Sequence, residues 1–229
     1  MKTYLDPKEV EKMEAAATNQ RDRLLIRLLF HLGCRISEAL GITVDDIDLG
    51  RATITIQHLK YRIELSCPIC DTRIGMRHTF CPRCGVRVEE AVRKATEHRR
   101  VRTLPIDEHT LQLISEYLAA GGPVIKNGRW ILFGINRHRG WQVVHKCAES
   151  AGLSPLLNPD SGRTRGVSPH RLRDAFATHA VKMDDSGDGL RLLQEHLGHQ
   201  SIATTMRYRK VSGEEHRKWC RRLWEQKES

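Results

Sequence analysis

The feature that most constrains this chain is an ordered set of charged and nucleophilic side chains in its C-terminal quarter. The segment SPHRLRDAFATHA places His170 and Arg173 three positions apart, so both lie on one face of a predicted helix. The segment EHLGHQSIATTMRY supplies His199 after a Leu-Gly pair and ends at Tyr208. Together with Arg35, which lies in LGCRISEALGI near the N-terminus, these residues form a set that can hold a phosphate and attack it.

The order of these motifs resembles the catalytic domain of the tyrosine recombinase (phage integrase) family. That family's pattern is an early arginine followed by Ser-Glu, a lysine in a β-hairpin, a His-x-x-Arg, a Leu-Gly-His and a tyrosine. Each element has a counterpart between about Leu5 and Tyr208. The resemblance implies a mainly α-helical fold with a small antiparallel β-sheet over residues 1–229. It also implies a site-specific recombinase or integrase that cleaves and rejoins DNA through a 3′-phosphotyrosyl intermediate, without a catalytic metal or nucleotide.

Arginine suits the binding of phosphate because it is permanently charged and donates two parallel hydrogen bonds. Arg35 and Arg173 are the predicted phosphate ligands. Taken singly, Arg35 has the alternative interpretation of a surface arginine, and Arg173 that of a salt-bridge partner for Asp174 or another acid. The matching order and spacing favour the functional interpretation for both.

Three further residues of the motif receive catalytic roles. His170 lies one turn before Arg173 and can exchange a proton near neutral pH. By resemblance, His199 hydrogen-bonds the scissile phosphate and Tyr208 is the nucleophile. The alternative for Tyr208 is a tyrosine at a helix end that packs on the core. Three other histidines are assigned to surface or core positions: His179, His196 and His216.

The family also uses a hairpin lysine as the general acid for the departing 5′ oxygen. Two lysines are candidates because an insertion splits the hairpin: Lys60 in QHLKYR, just past the first predicted strand, and Lys94 in VRKATEHRR, before the second. We expect Lys60 to have this role because it stays close to the end of the strand.

The insertion, residues 66–98, contains two cysteine knuckles. Cys67 and Cys70 form one CxxC pair, and Cys81 and Cys84 form a second after ten intervening residues. Two such pairs at this spacing predict a tetrahedral structural zinc site in a zinc ribbon, since all four ligand positions are filled by protein. A disulfide or redox pair is the alternative. The basic residues around the knuckles indicate either a DNA contact or a solvated face.

The composition of the chain indicates which binding partner and which cellular compartment to expect. The chain has a net charge of +10, which fits binding to double-stranded DNA but is also compatible with a generally basic surface. It lacks a signal peptide and an apolar run long enough for a bilayer, so we expect a cytoplasmic protein with no membrane partner. The tail, residues 213–229, predicts an amphipathic helix with Trp219, Leu223 and Trp224. By resemblance, this helix docks on a neighbouring protomer in a homo-oligomer on DNA, with docking on its own domain as the alternative.

Local patterns predict the main elements. Residues 52–57 alternate in polarity and form a predicted strand, with 101–106 as its partner. Helices are predicted after the Asp6-Pro7 cap and over residues 20–32, 108–120, 140–150, 169–181, 190–197 and 202–206, and residues 154–167 are expected to form a loop.

Two other functions remain open at this stage. One is a topoisomerase-like enzyme that relaxes DNA with the same chemistry but without strand exchange. The other is a non-catalytic zinc-ribbon regulator that binds DNA on the same fold. We also expect either a minimal integrase or a trimmed chain, because relatives carry an N-terminal DNA-clamping domain that this sequence does not include.

Overall fold

The structure is a computed structural model that describes residues 2–75, 78–88, 92–158, 162–209 and 221. Side chains are described for these residues except for 58–64 and 92–100. Within this part of the chain, α-helices dominate and most of the strands are short. The helices are α1 (Pro7–Ala15), α2 (Gln20–His31), α3 (Ile36–Ala39), α4 (Glu108–Ala119), α5 (Arg137–Ser150), α6 (Pro169–Met183), α7 (Gly187–Leu197) and α8 (Ile202–Arg209).

The strands form one antiparallel sheet and two small hairpins. The strands are β1 (Ile47–Asp48), β2 (Thr53–Ser66), β3 (Arg73–Ile74), β4 (Val92–Pro105), β5 (Val124–Lys126), β6 (Arg129–Ile131), β7 (Leu156–Leu157) and β8 (Thr164–Arg165). In the sheet, β2 pairs with β1, β3 and β4. The hairpins are β5–β6 and β7–β8. The mainly helical fold with a small antiparallel sheet is therefore confirmed.

The helix boundaries follow from capping side chains. At the start of α1 the backbone N–H of Asp6 donates to Glu9 Oε2 at 3.1 Å, and Pro7 occupies the first helical position. The Asn19 side chain accepts a hydrogen bond from the Asp22 N–H at 2.9 Å and begins α2. Asn136 caps α5 in the same way, because it accepts from the Arg139 N–H at 2.8 Å, and α5 therefore begins at Arg137, three residues before the predicted start.

Three details of the sequence prediction were wrong. Strands β2 and β4 extend far beyond the predicted ends at residues 57 and 101. The backbone of Lys60 consequently lies inside β2, not past its end, and that of Lys94 lies inside β4. The predicted loop at 154–167 contains the β7–β8 hairpin, and the β5–β6 hairpin around Asn127-Gly128 was not predicted.

Helix α2 lies at the centre of the main hydrophobic core. Its residues Leu25, Ile26, Leu28 and Leu29 are fully buried, and α1, α4, α5 and α6 contribute to the same cluster. A second, smaller cluster joins α6, α7 and α8, with Tyr208 packed at its margin. These two clusters fix the helices that carry the predicted site residues.

The chain divides into two compact units. One comprises Met1–Ile56 with Arg102–Ser229, and the other comprises Gln57–Val101, which includes both cysteine knuckles. No helix among the described residues is long and apolar enough to cross a membrane. The predicted tail helix, including Trp219, Leu223 and Trp224, lies outside the described residues except at residue 221.

Candidate active site

The predicted site forms around Arg173, a deeply buried charged side chain of the first unit. Its side chain is 1% exposed, although arginine is almost never fully buried without partners. One guanidinium nitrogen donates to the carbonyl oxygen of Gly33 at 2.6 Å and the other to that of Leu197 at 2.8 Å. Two main-chain oxygens, one after α2 and one at the end of α7, thus hold the guanidinium.

Both acceptor positions depend on glycine. Gly33 has φ +52° and ends α2, and Gly198 has φ +66° and ends α7 in the left-handed region. A Cβ on Gly33 would clash with Phe176, and one on Gly198 would clash with the Arg102 guanidinium. The glycine of the Leu-Gly-His motif therefore turns the chain while leaving the Leu197 carbonyl free to accept hydrogen bonds from side chains.

Glu38 is the acid that holds the arginines of the site together. Its side chain is 1% exposed. Oε2 accepts from the backbone N–H of Arg35 at 2.9 Å, and Oε1 accepts from Arg35 Nη1 at 2.9 Å. Oε2 also accepts from Arg102 Nη2 at 3.0 Å and lies 4.0 Å from Arg173 Nη1. Burial alone would raise the pKa of Glu38, but the Arg35 N–H and the charges of Arg102 and Arg35 outweigh it and lower the pKa.

His199 lies beside Arg173, and its hydrogen bonds define its tautomer. Nε2 is 3.0 Å from Arg173 Nη2, and Nδ1 is 3.0 Å from Thr205 Oγ1. Because a guanidinium can only donate, Nε2 is the acceptor and the ring proton is on Nδ1, which donates to Thr205. Burial, followed by the positive charges of Arg173 and Arg35, lowers the pKa of His199 to about 4. The imidazole is therefore neutral at physiological pH.

Tyr208 lies on α8 and faces the same cluster. Its ring stacks on His199 with a centroid distance of 6.2 Å and an interplanar angle of 13°. Its hydroxyl donates to Asp174 Oδ1 at 3.1 Å. Burial, with the nearby Asp174 charge as the next cause, raises the pKa of Tyr208 to about 12. His170 is 73% exposed, with Nε2 3.7 Å from Asp174 Oδ1.

The first unit thus brings together five of the six predicted catalytic residues: Arg35, His170, Arg173, His199 and Tyr208. These residues share a positively charged environment. The Arg35 side chain is 38% exposed and lies at the edge of the cluster. Such an arrangement can neutralise a phosphate and present a phenol to it. The sixth predicted residue, Lys60, belongs to the second unit, and its side chain lies outside the described ones, as does that of Lys94.

A sequence profile of the phage integrase family matches residues 3–215. The chain belongs to the phage integrase family. Among curated proteins, it is 27% identical over 207 residues to the tyrosine recombinase XerD of Corynebacterium glutamicum, covering 87% of this chain and 51% of that protein. It is also 29% identical over 201 residues to the tyrosine recombinase XerA of Thermococcus kodakarensis, covering 88% and 55%. The chain therefore spans about half the length of the curated relatives it matches.

Comparison with solved structures confirms the fold of this integrase family member. The crystal structure of XerA recombinase has a TM-score of 0.63 at 20% identity and covers 97% of this chain and 64% of its own. The fold therefore matches over nearly the whole chain.

The sequence interpretation did not include two residues of the cluster as site residues. Glu38 was noted only as part of the Ser-Glu pair after Arg35, and Arg102 was not identified. Arg102 donates to both Glu38 Oε2 and the Leu197 carbonyl. Its position in a strand with alternating polarity gave no sign that it points inward. The alternative for Arg173 was a salt bridge to Asp174 or another acid. Asp174 is not the partner, because it bonds to Tyr208, whereas Glu38 lies at ion-pair distance, 4.0 Å from Arg173 Nη1.

The second unit contains a candidate metal centre. The sulfur atoms of Cys67, Cys70, Cys81 and Cys84 all lie within 4.8 Å of one another. Cys67 and Cys84 are 3.6 Å apart, and Cys70 and Cys81 are 3.5 Å apart, sulfur to sulfur. A disulfide would require about 2.05 Å, whereas sulfurs bound at about 2.3 Å to one tetrahedral zinc lie nearly 4 Å apart. The donor set and spacing fit a structural zinc ion.

The two knuckles have the same backbone turn. The N–H of Cys67 donates to the Thr72 carbonyl at 2.9 Å, and that of Cys81 donates to the Val86 carbonyl at 2.8 Å. The residue after each pair, Asp71 or Gly85, has a positive φ, of 53° and 69° respectively. This repeated turn directs each pair of sulfurs to one point and explains why the four thiols meet.

Proposed function

We propose that this chain is the catalytic domain of a site-specific DNA recombinase that breaks and rejoins DNA through a 3′-phosphotyrosyl intermediate. The observation that carries the proposal is the meeting of the Arg173 guanidinium, the His199 imidazole and the Tyr208 phenol in one cluster. Membership of the phage integrase family supports it. The net charge of +10 supports double-stranded DNA as the partner. An enzyme of this kind would act on DNA in the cytoplasm.

The proposed roles come from the family resemblance, and the charge and exposure of Arg35 and His170 support those of these two residues. Arg35, which is partly exposed, and Arg173 would neutralise the non-bridging oxygens of the scissile phosphate. By resemblance, His199 would donate a hydrogen bond to that phosphate, which requires its Nε2 atom to release Arg173 and carry the ring proton. Tyr208 would attack phosphorus. His170, which is largely exposed, would exchange protons with solvent at the edge of the site. Loss of one preorganised donor of this kind typically lowers the rate about 100- to 1,000-fold.

Two lysines are candidates for the general acid, and the assignment to one of them is part of the proposal. Lys60 is kept over Lys94 on the family resemblance alone, since the expected position just past the first strand is not found and Lys60 lies inside β2. If Lys60 is the acid, Lys60→Ala should slow cleavage of ordinary DNA strongly. A 5′-bridging phosphorothiolate should restore it, because a thiolate leaves without a proton. Rescue of Lys94→Ala but not of Lys60→Ala would assign the role to Lys94.

The zinc ribbon and the tail are finer parts of the proposal. Zinc bound through Cys67, Cys70, Cys81 and Cys84 would be structural, since its four positions are filled and none remains for a substrate. Residues 66–98 would form the ribbon, and residues 213–229 would dock on a neighbouring protomer in a homo-oligomer on DNA. The solved structure of XerH site-specific recombinase, at 22% identity, is bound to palindromic difH substrate, and that of the Tn1549 transposon integrase, at 19% identity, is in complex with transposon right end DNA. These complexes support DNA as the proposed partner of this chain.

The decisive test is trapping of a covalent protein–DNA adduct. Duplexes that the protein selects from a random pool would be rebuilt with a nick near the cleavage point, so that religation is prevented. The wild-type protein should form an adduct that resists denaturation, and Tyr208→Phe should form none. Tyr4→Phe is the matched control and should leave the yield unchanged. An adduct of equal yield in Tyr208→Phe would refute Tyr208 as the nucleophile.

The same selected duplexes distinguish the proposed recombinase from the two alternative functions. A non-catalytic regulator would bind the selected duplex without forming any adduct. An enzyme restricted to relaxation would form the adduct and relax supercoiled plasmid, but would not exchange strands between two copies of the selected site. Strand exchange between two copies is the result we expect.

A further inference from the structure

The Tyr208 hydroxyl has a specific partner that the family resemblance does not assign. It donates a hydrogen bond to Asp174 Oδ1 at 3.1 Å. Asp174 is adjacent to Arg173 on α6, but its side chain turns away from the guanidinium and towards α8. The two oxygens of this carboxylate are engaged differently: Oδ1 faces Tyr208 and His170, and Oδ2 lies 3.8 Å from Arg171 Nη1.

The other basic group near the phenol is not available to accept its proton. His199 stacks on the Tyr208 ring, but its Nε2 lone pair is directed at Arg173 and its Nδ1 proton at Thr205. A general base must lie within hydrogen-bond reach of the proton it removes. Among the described residues, the group that meets this condition for Tyr208 is the Asp174 carboxylate.

We propose that Asp174 is a catalytic residue that accepts the Tyr208 proton during strand cleavage. This inference rests on the proposed role of Tyr208 as the nucleophile. As the bond from Tyr208 Oη to phosphorus forms, the phenolic proton passes to Asp174 Oδ1. The bond from phosphorus to the 5′ oxygen breaks, and that oxygen takes a proton from a separate acid. Rejoining reverses each step, so that protonated Asp174 returns the proton to Tyr208 as the 5′ hydroxyl attacks.

The surroundings of Asp174 suit this role. Its side chain is 21% exposed, so it is partly shielded from competing water. Arg171 Nη1 lies 3.8 Å from its Oδ2, and His170 Nε2 lies 3.7 Å from its Oδ1. His170 is largely exposed and gives the proton a short path onward to solvent. A carboxylate that accepts a hydroxyl proton is an established device in phosphoryl transfer, as in the catalytic loop of protein kinases. The raised pKa of Tyr208 makes such an acceptor more necessary, because the phenol is not ionised near neutral pH.

The test compares single-turnover adduct formation in Asp174→Asn, Asp174→Glu and the wild type on the nicked duplex. Asp174→Asn keeps the size of the side chain and an oxygen acceptor but cannot take a proton. We expect its rate constant to fall about 100- to 10,000-fold, with unchanged affinity for uncleaved duplex and an unchanged midpoint of urea unfolding. Asp174→Glu should recover part of the rate because it restores a carboxylate.

Two controls separate proton acceptance from a structural role. Asp185→Asn removes a carboxylate that pairs with Arg209, the neighbour of Tyr208 on α8, at 3.5 Å, and it should cleave at the wild-type rate. A 5′-bridging phosphorothiolate should leave Asp174→Asn slow, since the substitution affects the nucleophile and not the leaving group. Rescue by the phosphorothiolate would overturn the assignment.

The outcomes also separate this inference from the proposed function. Cleavage by Asp174→Asn at or above the wild-type rate overturns the role of Asp174 but leaves the nucleophile intact, provided that Tyr208→Phe forms no adduct. Asp174→Asn and Asp174→Glu that are equally slow and bind duplex more weakly would also overturn it, because the carboxylate would then act in binding. An adduct in Tyr208→Phe, or none in the wild type, would refute the proposed function itself.

Discussion

Replacing Glu38 by glutamine should destabilise the protein strongly, although the two side chains have nearly the same shape. Glu38 is 1% exposed and receives hydrogen bonds from the Arg35 backbone, the Arg35 side chain and Arg102. Glutamine keeps one oxygen, but it replaces the other by an NH₂ group that points donor to donor at a guanidinium or an N–H. The substitution therefore leaves buried positive charge uncompensated next to Arg173.

The magnitude follows from the partners. Removing one member of a buried ion pair costs about 3–5 kcal/mol. Arg35 is 38% exposed, so water screens its share, whereas Arg102 is 10% exposed and is screened little. We therefore take the lower end, about 3 kcal/mol. For a chain of this length, that corresponds to a fall in melting temperature of about 6–12 °C.

The assay is urea unfolding of both proteins at several pH values, with Glu116→Gln as the matched control. Glu116 is exposed on α4 and bonds to Gln112, so its replacement should change the free energy of unfolding by less than about 0.5 kcal/mol. The pKa of Glu38 is lowered from 4.5 in the folded protein. The wild-type advantage should thus be complete above that value and shrink as the pH falls below it. A cost for Glu38→Gln below about 1 kcal/mol near pH 7 would refute the assignment of Glu38 as the buried counter-ion.

Three further predictions concern His199, Gly33 and the cysteines. The pKa of His199 is lowered to about 4, so its NMR resonances should titrate near that pH. Its protonation should destabilise the fold as the pH falls from 6.5 towards 4. A titration midpoint near 6.5 would contradict this. Gly33→Ala should lower the free energy of unfolding by about 1–3 kcal/mol more than Gly121→Ala does. Both glycines have a positive φ, but a Cβ would clash with a neighbouring side chain only at Gly33. Equal urea midpoints for the two variants would argue against this. Metal analysis of protein made under reducing conditions should find one zinc ion per chain, and none after Cys67 and Cys81 are both changed to serine; zinc retained in the double variant would exclude these ligands.

The parts of the site that sequence could predict are those written as short motifs. His170 and Arg173 are three apart on one helix, and His199 follows a glycine that ends a helix, so their local geometry can be derived from spacing, while their chemical roles are those that the family resemblance implies. The roles of Glu38 and Arg102 could not, because they depend on a contact between residues 64 positions apart in the chain. The orientation of Asp174 towards Tyr208, likewise, is decided by how α8 packs on α6.

The same distinction applies to the fold. Capping residues and apolar periodicity located the long helices within a few residues. The β5–β6 hairpin was missed although Asn127-Gly128 is a strong turn signal, because its strands have only three residues each and are largely exposed. The end of β2 was placed too early and the start of β4 too late. Residues 58–65 continue to alternate polar and apolar side chains, a strand signal that the sequence prediction overlooked, whereas residues 93–100 are rich in charge and lack this alternation.

The two carbonyl oxygens that hold Arg173 have a consequence for how this site can diverge. Because the acceptors at Gly33 and Leu197 are main-chain atoms, replacing the side chain at position 197 does not remove its acceptor. The orientation of the guanidinium is therefore encoded in the path of the backbone. Surrounding side chains can therefore change, for instance during selection for a new target sequence, while the Arg173 guanidinium keeps its orientation. Only changes that redirect the main chain at the ends of α2 and α7 would misalign it, so directed evolution should find its permissive positions around these turns and not within them.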